Sequence, residues 1–246
     1  MMEAISLQYV VLISISLLTS IITLFTGFGV GTIMMPVMAL FFDVKVAIFL
    51  AAIVHFFNNI SRLLLYHKHV RWEIIRRFGI VSILGALIGS FSQIYLDSAW
   101  LKTGVGFFLA IFSFLSLLPG TITWKLPAVI DVIVGFLSGL IGGLIGNQGA
   151  IRSLYLLNYK LVKQELIVAA AFIAVIIDIT RIPVYAYSNF RYLEDNYLLL
   201  LLIILSSVTG TLIGSRILPK VSPDLFKRII LVAVLLLGLL MMLGII

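Results

Sequence analysis

Long apolar runs fill most of the chain and are separated by short polar or glycine-rich stretches. Most of the runs approach the roughly 20 residues that a helix needs to cross a bilayer. The runs cover residues 7–25, 33–42, 46–65, 74–96, 101–118, 128–145, 151–157, 166–186, 198–218 and 225–246. Those over residues 33–42 and 151–157 are too short to span. This pattern predicts an all-α integral membrane protein with about eight transmembrane segments.

Each short run follows a glycine-interrupted stretch, TGFGVG at residues 26–31 and GGLIGNQG at residues 142–149. This is the pattern of a broken or re-entrant helix. Unwound backbone at membrane depth is tolerated only where protein or a water-filled cavity covers it. A helix that restarts at Thr32 or Ala150 presents unpaired N–H groups and the positive end of its dipole. We therefore expect an anion site where the two helix ends meet.

The two halves of the chain also align with each other. Three polar residues recur 119 residues later in the same order: Asn59 as Asp178, Arg62 as Arg181, and Tyr66 as Tyr185. The block GALIGS at residues 85–90 recurs as GTLIGS at residues 210–215, and its glycines are typical of close helix packing. We predict one membrane domain of two four-segment repeats, residues 1–120 and 121–246, with the first segment of each broken or re-entrant at its glycine loop.

The distribution of charge suggests how the repeats are oriented. Residues 67–77 and 216–228 are rich in Lys and Arg, which the positive-inside rule assigns to the cytoplasm. Residues 97–102 and 188–196 are weakly charged or acidic and are expected on the opposite side. The halves are therefore predicted to be inverted. A parallel repeat is the alternative, because the first run is long enough to span the membrane.

A stripe of polar residues lies on one helical face in each half. His55, Asn59 and Arg62 are spaced four and three residues apart, which places them on the same face. Ionisable groups within a span cost roughly 2.5–3.5 kcal/mol on insertion scales, so they are usually paired or functional. Arg62 and Arg181 could instead snorkel to the headgroups, and Asp178 could merely neutralise Arg181. His55 is too deep to snorkel.

Arg152 follows the second glycine loop and has no basic counterpart in the first half. It is either an anion clamp, since guanidinium grips oxyanions in a bidentate way, or a charge that sets topology. The candidate substrate-binding residues are Gly27, Gly29, Gly31, Thr32, Asn58, Asn59, Arg62, Asn147, Gln148, Gly149, Arg152 and Arg181. The candidates for proton coupling are His55 and Asp178.

Composition narrows the possible functions. Apolar residues make up 62% of the chain and charged residues only 11%, with no cysteine. The three histidines lack metal-ligand spacing, so we expect neither a metal nor another cofactor. The net charge of +7 reflects the loops between spans and does not indicate nucleic acid. No hydrolase, zinc-protease or nucleotide-binding motif occurs in the sequence, so we expect a non-enzyme. The sequence does not indicate an oligomeric state.

The stretch GFGVGTIMMP (residues 27–36), the loop GGLIGNQGA (residues 142–150), the Asn59 helix ending before VRW, and GALIGS together resemble the TauE/SafE family of sulfite exporters. This resemblance implies a multi-pass protein of the cell (inner) membrane. It would be a secondary transporter of sulfite or short organosulfonates, with two similar halves around a central site. We expect proton-coupled export. The alternatives are a non-transporting membrane scaffold and a transporter or channel for another small anion.

Overall fold

The computed structural model describes residues 2–26, 30–118, 129–147, 149–156, 159, 161–217 and 223–246. Most of these residues are helical. Six helices are long and apolar enough to cross a membrane, and two shorter apolar helices lie at Ile130–Ile145 and Leu231–Met242. The prediction of an all-α membrane protein is confirmed at this level.

Ten helices are numbered here in chain order. Their bounds are α1 Met2–Thr26, α2 Gly31–Met38, α3 Val44–Tyr66, α4 Trp72–Tyr95, α5 Ser98–Leu117, α6 Val129–Ile145, α7 Gly149–Leu156, α8 Lys163–Asp195, α9 Tyr197–Ile217 and α10 Pro223–Met242. Two of these helices begin after a residue whose side chain caps the helix. The side chains of Asp43 and Asp97 cap α3 and α5 by accepting from the backbone N–H of Lys45 and Ala99, respectively.

The short helices α2 and α7 have eight residues each, about 12 Å of helix, which is under half of a bilayer core. They begin at Gly31 and Gly149, one residue before the predicted restarts. The helix α1 is continuous over 25 residues and ends at Thr26, the first residue of the first glycine stretch. Gly27, Gly29 and Gln148 were predicted to belong to the loops, and they lie outside the described residues.

Contacts between side chains fix the relative directions of the central helices. Asn58 of α3 contacts Ser20 of α1, and Arg62, one turn further, contacts Thr23. From the first contact to the second, the residue number increases on both helices, so α1 and α3 run parallel. Gly31 lies beside His55, about two turns back from Arg62. The short helix α2 therefore starts deeper in the protein than the end of α1.

Close glycine contacts join helices of the two halves. A Cβ atom on Gly85 of α4 would lie 2.1 Å from the carbonyl oxygen of Phe136 in α6, and one on Gly139 would lie 2.0 Å from that of Ser82. Gly210 of α9 approaches Leu17 of α1 in the same way, at 2.5 Å. No larger side chain fits at these distances, so the packing role predicted for Gly85 and Gly210 is confirmed.

The Gly85 contact gives a first testable prediction. Gly85→Ala forces the backbones of α4 and α6 apart, and overpacking of this kind typically costs about 1–3 kcal/mol. We expect a lower midpoint of thermal unfolding in detergent than for the unmodified protein. The matched control is Gly104→Ala on α5, because a Cβ there has no atom within 4 Å. Equal midpoints for the two variants would contradict close α4–α6 packing.

Candidate functional site

The Asp178 carboxylate connects two central helices inside the protein. One oxygen accepts a hydrogen bond from Nδ1 of His55 on α3 at 2.7 Å. The other accepts from Nε and Nη2 of Arg181 on α8, at 2.9 and 2.8 Å. The three residues are at most 2% exposed. Asp178 thus binds a histidine and an arginine at once, in a region closed to solvent.

Arg181 also reaches the end of α6. Its Nη1 donates to the carbonyl oxygen of Gly142 at 2.6 Å, and the hydroxyl of Tyr185 donates to the carbonyl of Gly143. Both carbonyls lie in the last turn of α6, which is the negative end of the helix dipole. Gly146 then has φ of +79°, a left-handed conformation that favours glycine and ends the helix.

The starts of the two short helices meet beside this cluster. The Thr32 hydroxyl donates to Oδ1 of Asn147 at 3.1 Å. A Cβ on Gly31 would lie 3.4 Å from the ring of His55 and 3.7 Å from the carbonyl oxygen of Gly146. The first turn of α2 therefore presents its N-terminal end to the histidine, and a Cβ at Gly31 would be in ordinary van der Waals contact with the ring.

Arg62 is also a buried arginine, but its hydrogen bonds differ from those of Arg181. Its Nη2 donates to the Thr23 hydroxyl at 2.8 Å, and its Nε has no hydrogen-bond partner. It is 5% exposed, so it does not snorkel to the surface. Within the described ranges, no carboxylate lies within salt-bridge distance of Arg62.

Arg152 on α7 completes the charged cluster, which is defined as His55, Arg62, Arg152, Asp178 and Arg181. It is 1% exposed and interacts electrostatically with Asp178, Arg62 and Arg181. A charge that sets membrane topology would lie in a loop, so that interpretation of Arg152 is wrong. The cluster draws on three helices, α3, α7 and α8.

The two adjacent asparagines of α3 lie in different surroundings. Asn59 faces the cluster side, and its Nδ2 donates to the carbonyl oxygen of His55 at 2.7 Å. Asn58 instead contacts Ser20 of α1 and residues Ser207 and Thr211 of α9. Successive residues of a helix point about 100° apart, which explains the separation. The structure does not bring Asn58 to the charged cluster.

The sequence analysis missed Thr23, the carbonyl groups of Gly142 and Gly143, and the role of Tyr185. One signal could have found the first two, because Thr23 and Gly142 are 119 residues apart, the same offset as Arg62 and Arg181. Each arginine binds the residue at the matching place in its own half. Among the described residues, no group of three His, Cys, Asp or Glu side chains could hold a metal ion.

The geometry is that of a buried charged site between half-length helices of a membrane protein. A comparison with protein-family models adds the deciding observation, because the model described as "Sulfite exporter TauE/SafE" matches residues 12–241, nearly the whole chain. The chain belongs to this family. TauE/SafE proteins are membrane anion transporters, and membership agrees with a protein that is not an enzyme. Searches of curated proteins and of solved structures gave no match.

The pairing at Asp178 predicts a large effect on stability. Asp178→Asn removes the one carboxylate that binds Arg181 within the described part of the chain and leaves a buried positive charge uncompensated, which typically costs about 3–5 kcal/mol. We expect the free energy of unfolding in detergent to fall by this amount. The control is Glu73→Gln, which breaks the exposed Glu73–Arg77 pair and should cost less than about 1 kcal/mol. A similar loss in both variants would refute the buried pairing.

Proposed function

We propose that this protein is a proton-coupled secondary transporter that exports small sulfur-containing anions, sulfite or short organosulfonates. The anion would bind in the charged cluster, between the starts of α2 and α7. The observation that carries this proposal is the charge imbalance of the cluster. Its five residues include three arginines and one carboxylate, so their charges sum to an excess of two positive charges when His55 is neutral.

Such an imbalance is costly at membrane depth. Each unpaired ionised group in a low-dielectric interior loses several kcal/mol of hydration energy, and neighbouring like charges add to that cost. A bound oxyanion would supply the missing negative charge. Its oxygens also suit guanidinium groups, which bind planar or tetrahedral oxyanions through two N–H groups at once.

Two buried hydrogen-bond donors without a partner also support an anion site in the charged cluster. Nε of Arg62 and Nδ2 of Asn147 are buried without a hydrogen-bond partner. Buried donors are rarely left unpaired, because each costs about 1–3 kcal/mol. An anion could accept from both of these groups.

Proton coupling would rest on His55 and Asp178. Histidine changes its charge within the physiological pH range, and here its ring shares a hydrogen bond with a carboxylate beside Arg181. Protonation of His55 would raise the positive charge of the cluster by one and so strengthen anion binding. Loss of that proton would weaken binding, which links release of the anion to release of the proton.

We also propose that residues 1–120 and 121–246 form inverted repeats. In support, α1 and α3 of the first half run parallel, and α4 runs parallel to α6 because Gly85 contacts Phe136 and Gly89 contacts Leu140. With α2 returning toward the start of α1, the first half makes an odd number of net crossings. The basic segment that includes Arg71 also pairs with Glu165 at the start of α8, as expected if both are cytoplasmic.

Transport would require this closed site to open. All five members of the charged cluster are at most 5% exposed. The Thr32–Asn147 hydrogen bond joins the starts of the two short helices beside His55. Separation of α2 from α7 would therefore give access from one side. A short helix joined by glycine is suited to this motion, because it can tilt without unfolding a full span.

Flux measurements test the anion site. Purified protein in liposomes should export a short sulfonate, which stays ionised and does not leak as a neutral acid. Arg62→Gln keeps a polar side chain but removes the charge, so we expect flux to fall by roughly tenfold to a hundredfold. Arg77→Gln is the control, because Arg77 is an exposed arginine of α4 paired only at the surface. It should keep full flux.

Two outcomes would contradict the proposal. Liposomes with the unmodified protein that move neither sulfite nor a sulfonate faster than protein-free liposomes would refute transport of these substrates. Full flux in Arg62→Gln would refute the site while leaving transport intact. Flux that rises without saturation would instead indicate a channel.

The proton-coupling residue has its own test. Because the anion and the proton are released together, we expect an outward proton gradient to accelerate export by the unmodified protein. We expect His55→Gln to abolish that acceleration while slow flux down the anion gradient continues. The glutamine amide can still hydrogen bond with Asp178 but does not titrate. The measurement is sulfonate flux with and without the gradient. Undiminished acceleration in His55→Gln would exclude His55 as the coupling group.

A further inference from the structure

The aspartate in the first turn of α6 is a buried ionisable group outside the charged cluster. Asp131 is 4% exposed, and its carboxylate accepts a hydrogen bond from the hydroxyl of Tyr155 on α7 at 2.5 Å. The hydroxyl of Tyr159, just beyond α7, also hydrogen bonds with this carboxylate. Among the residues that the structure describes, no Lys, Arg or His lies within salt-bridge distance of Asp131. Two tyrosine hydroxyls therefore stabilise this carboxylate in place of a cation.

The hydrogen bond between Asp131 and Tyr155 closes a helical hairpin. Asp131 lies in the first turn of α6, whereas Tyr155 lies in the last turn of α7. Only residues 146–148 separate the end of α6 from the start of α7, and Gly146 has a left-handed conformation there. The chain therefore turns back along α6, and Tyr155 joins the far end of α7 to the start of α6.

Apolar contacts hold the same end of α7. The ring of Tyr155 lies 5.8 Å from that of Phe78 on α4, measured between centroids, and Leu156 is 0% exposed. These residues belong to one cluster of buried apolar side chains from α4, α7 and α8. Apolar packing is not directional, so it does not by itself fix the rotation of a short helix. A hydrogen bond to a carboxylate is directional and stronger than one to a neutral acceptor, so it fixes that rotation.

We propose that Asp131 is a positioning residue of the anion site, which holds α7 and with it Arg152. This inference rests on the proposed function, because it takes Arg152 to bind the anion. Arg152 lies one turn before Tyr155 on α7, so a rotation or slide of the held end displaces the guanidinium as well. Asp131 acts through the position of α7, because the charges that act on Arg152 are those of the charged cluster.

The first half of the chain has no equivalent of this hydrogen bond. The residue 119 positions before Asp131 is Leu12, and the residue 119 positions before Tyr155 is Pro36. Neither side chain can form a hydrogen bond. The short helix α2 also carries no basic residue, whereas α7 carries Arg152. The buried hydrogen bond is thus found on the short helix that brings a charge to the anion site, as a positioning role requires.

Thiol accessibility tests the hold on α7 independently of transport. The chain has no cysteine, so a single introduced cysteine reports on one position. Ser153→Cys places it on α7 beside Arg152, at a position that is 7% exposed. In purified protein in detergent, a maleimide should label this cysteine slowly, and Asp131→Leu should accelerate labelling roughly tenfold or more, because both tyrosine hydroxyls lose their acceptor. Asp131→Asn keeps a neutral acceptor and should restore part of the protection.

Two controls separate the hold on α7 from general stability. Asp195→Leu changes an exposed aspartate at the end of α8 and should leave Ser153→Cys slowly labelled. Ser113→Cys lies on α5 at a position that is 0% exposed, and its labelling should stay slow in the presence of Asp131→Leu. Equal rates at Ser153→Cys with and without Asp131→Leu would overturn the proposal. Equal acceleration at both cysteines would overturn it as well, because it would show loosening of the whole protein.

Sulfonate flux in liposomes tests the connection to the anion site. Asp131→Leu should raise the KM by roughly threefold to tenfold with little change in the maximal rate, because a displaced Arg152 binds the anion less well. An unchanged KM together with faster labelling of Ser153→Cys would refute a role in anion binding. If the unmodified protein moves no sulfonate, the proposed function fails, whereas the labelling rates still decide whether Asp131 holds α7.

Discussion

The carboxylate of Asp178 is the group on which the buried charges depend. It binds His55 of α3 and Arg181 of α8 at once, and Arg181 in turn binds the end of α6. Without this negative charge, Arg181 would lie buried with no carboxylate bound to it among the described residues. Burying an ion is costly unless it is paired, so these contacts stabilise one another. Through them, one carboxylate helps to fix the relative positions of α3, α6 and α8.

Close backbone contact allows these charges to be held far from solvent. Glycines at the α4–α6 and α1–α9 contacts let whole helices approach within a distance that no Cβ permits. Van der Waals packing of this kind drives helix association in membranes, where the hydrophobic effect does not act between helices. Both contacts join a helix of one half to a helix of the other. The halves are thus interlocked, and the central pair α3 and α8 is enclosed between them.

Periodicity and hydropathy predicted much of this arrangement. Apolar runs located the long helices, the glycine stretches located the short helices within one residue, and the spacing of His55, Asn59 and Arg62 predicted their shared face. The different surroundings of Asn58 and Asn59 were not predicted. They depend on contacts with residues 38 to 153 positions away, which sequence spacing within a helix does not encode.

The difference between the halves bears on where an anion would bind. Asn59 and Asp178 occupy matching positions, but only the second is charged, and it neutralises Arg181. Asn59 instead donates to its own helix, so Arg62 keeps its charge uncompensated by a carboxylate. An anion is attracted most to the guanidinium whose field is least cancelled. The proposed binding position therefore lies closer to Arg62 than to Arg181.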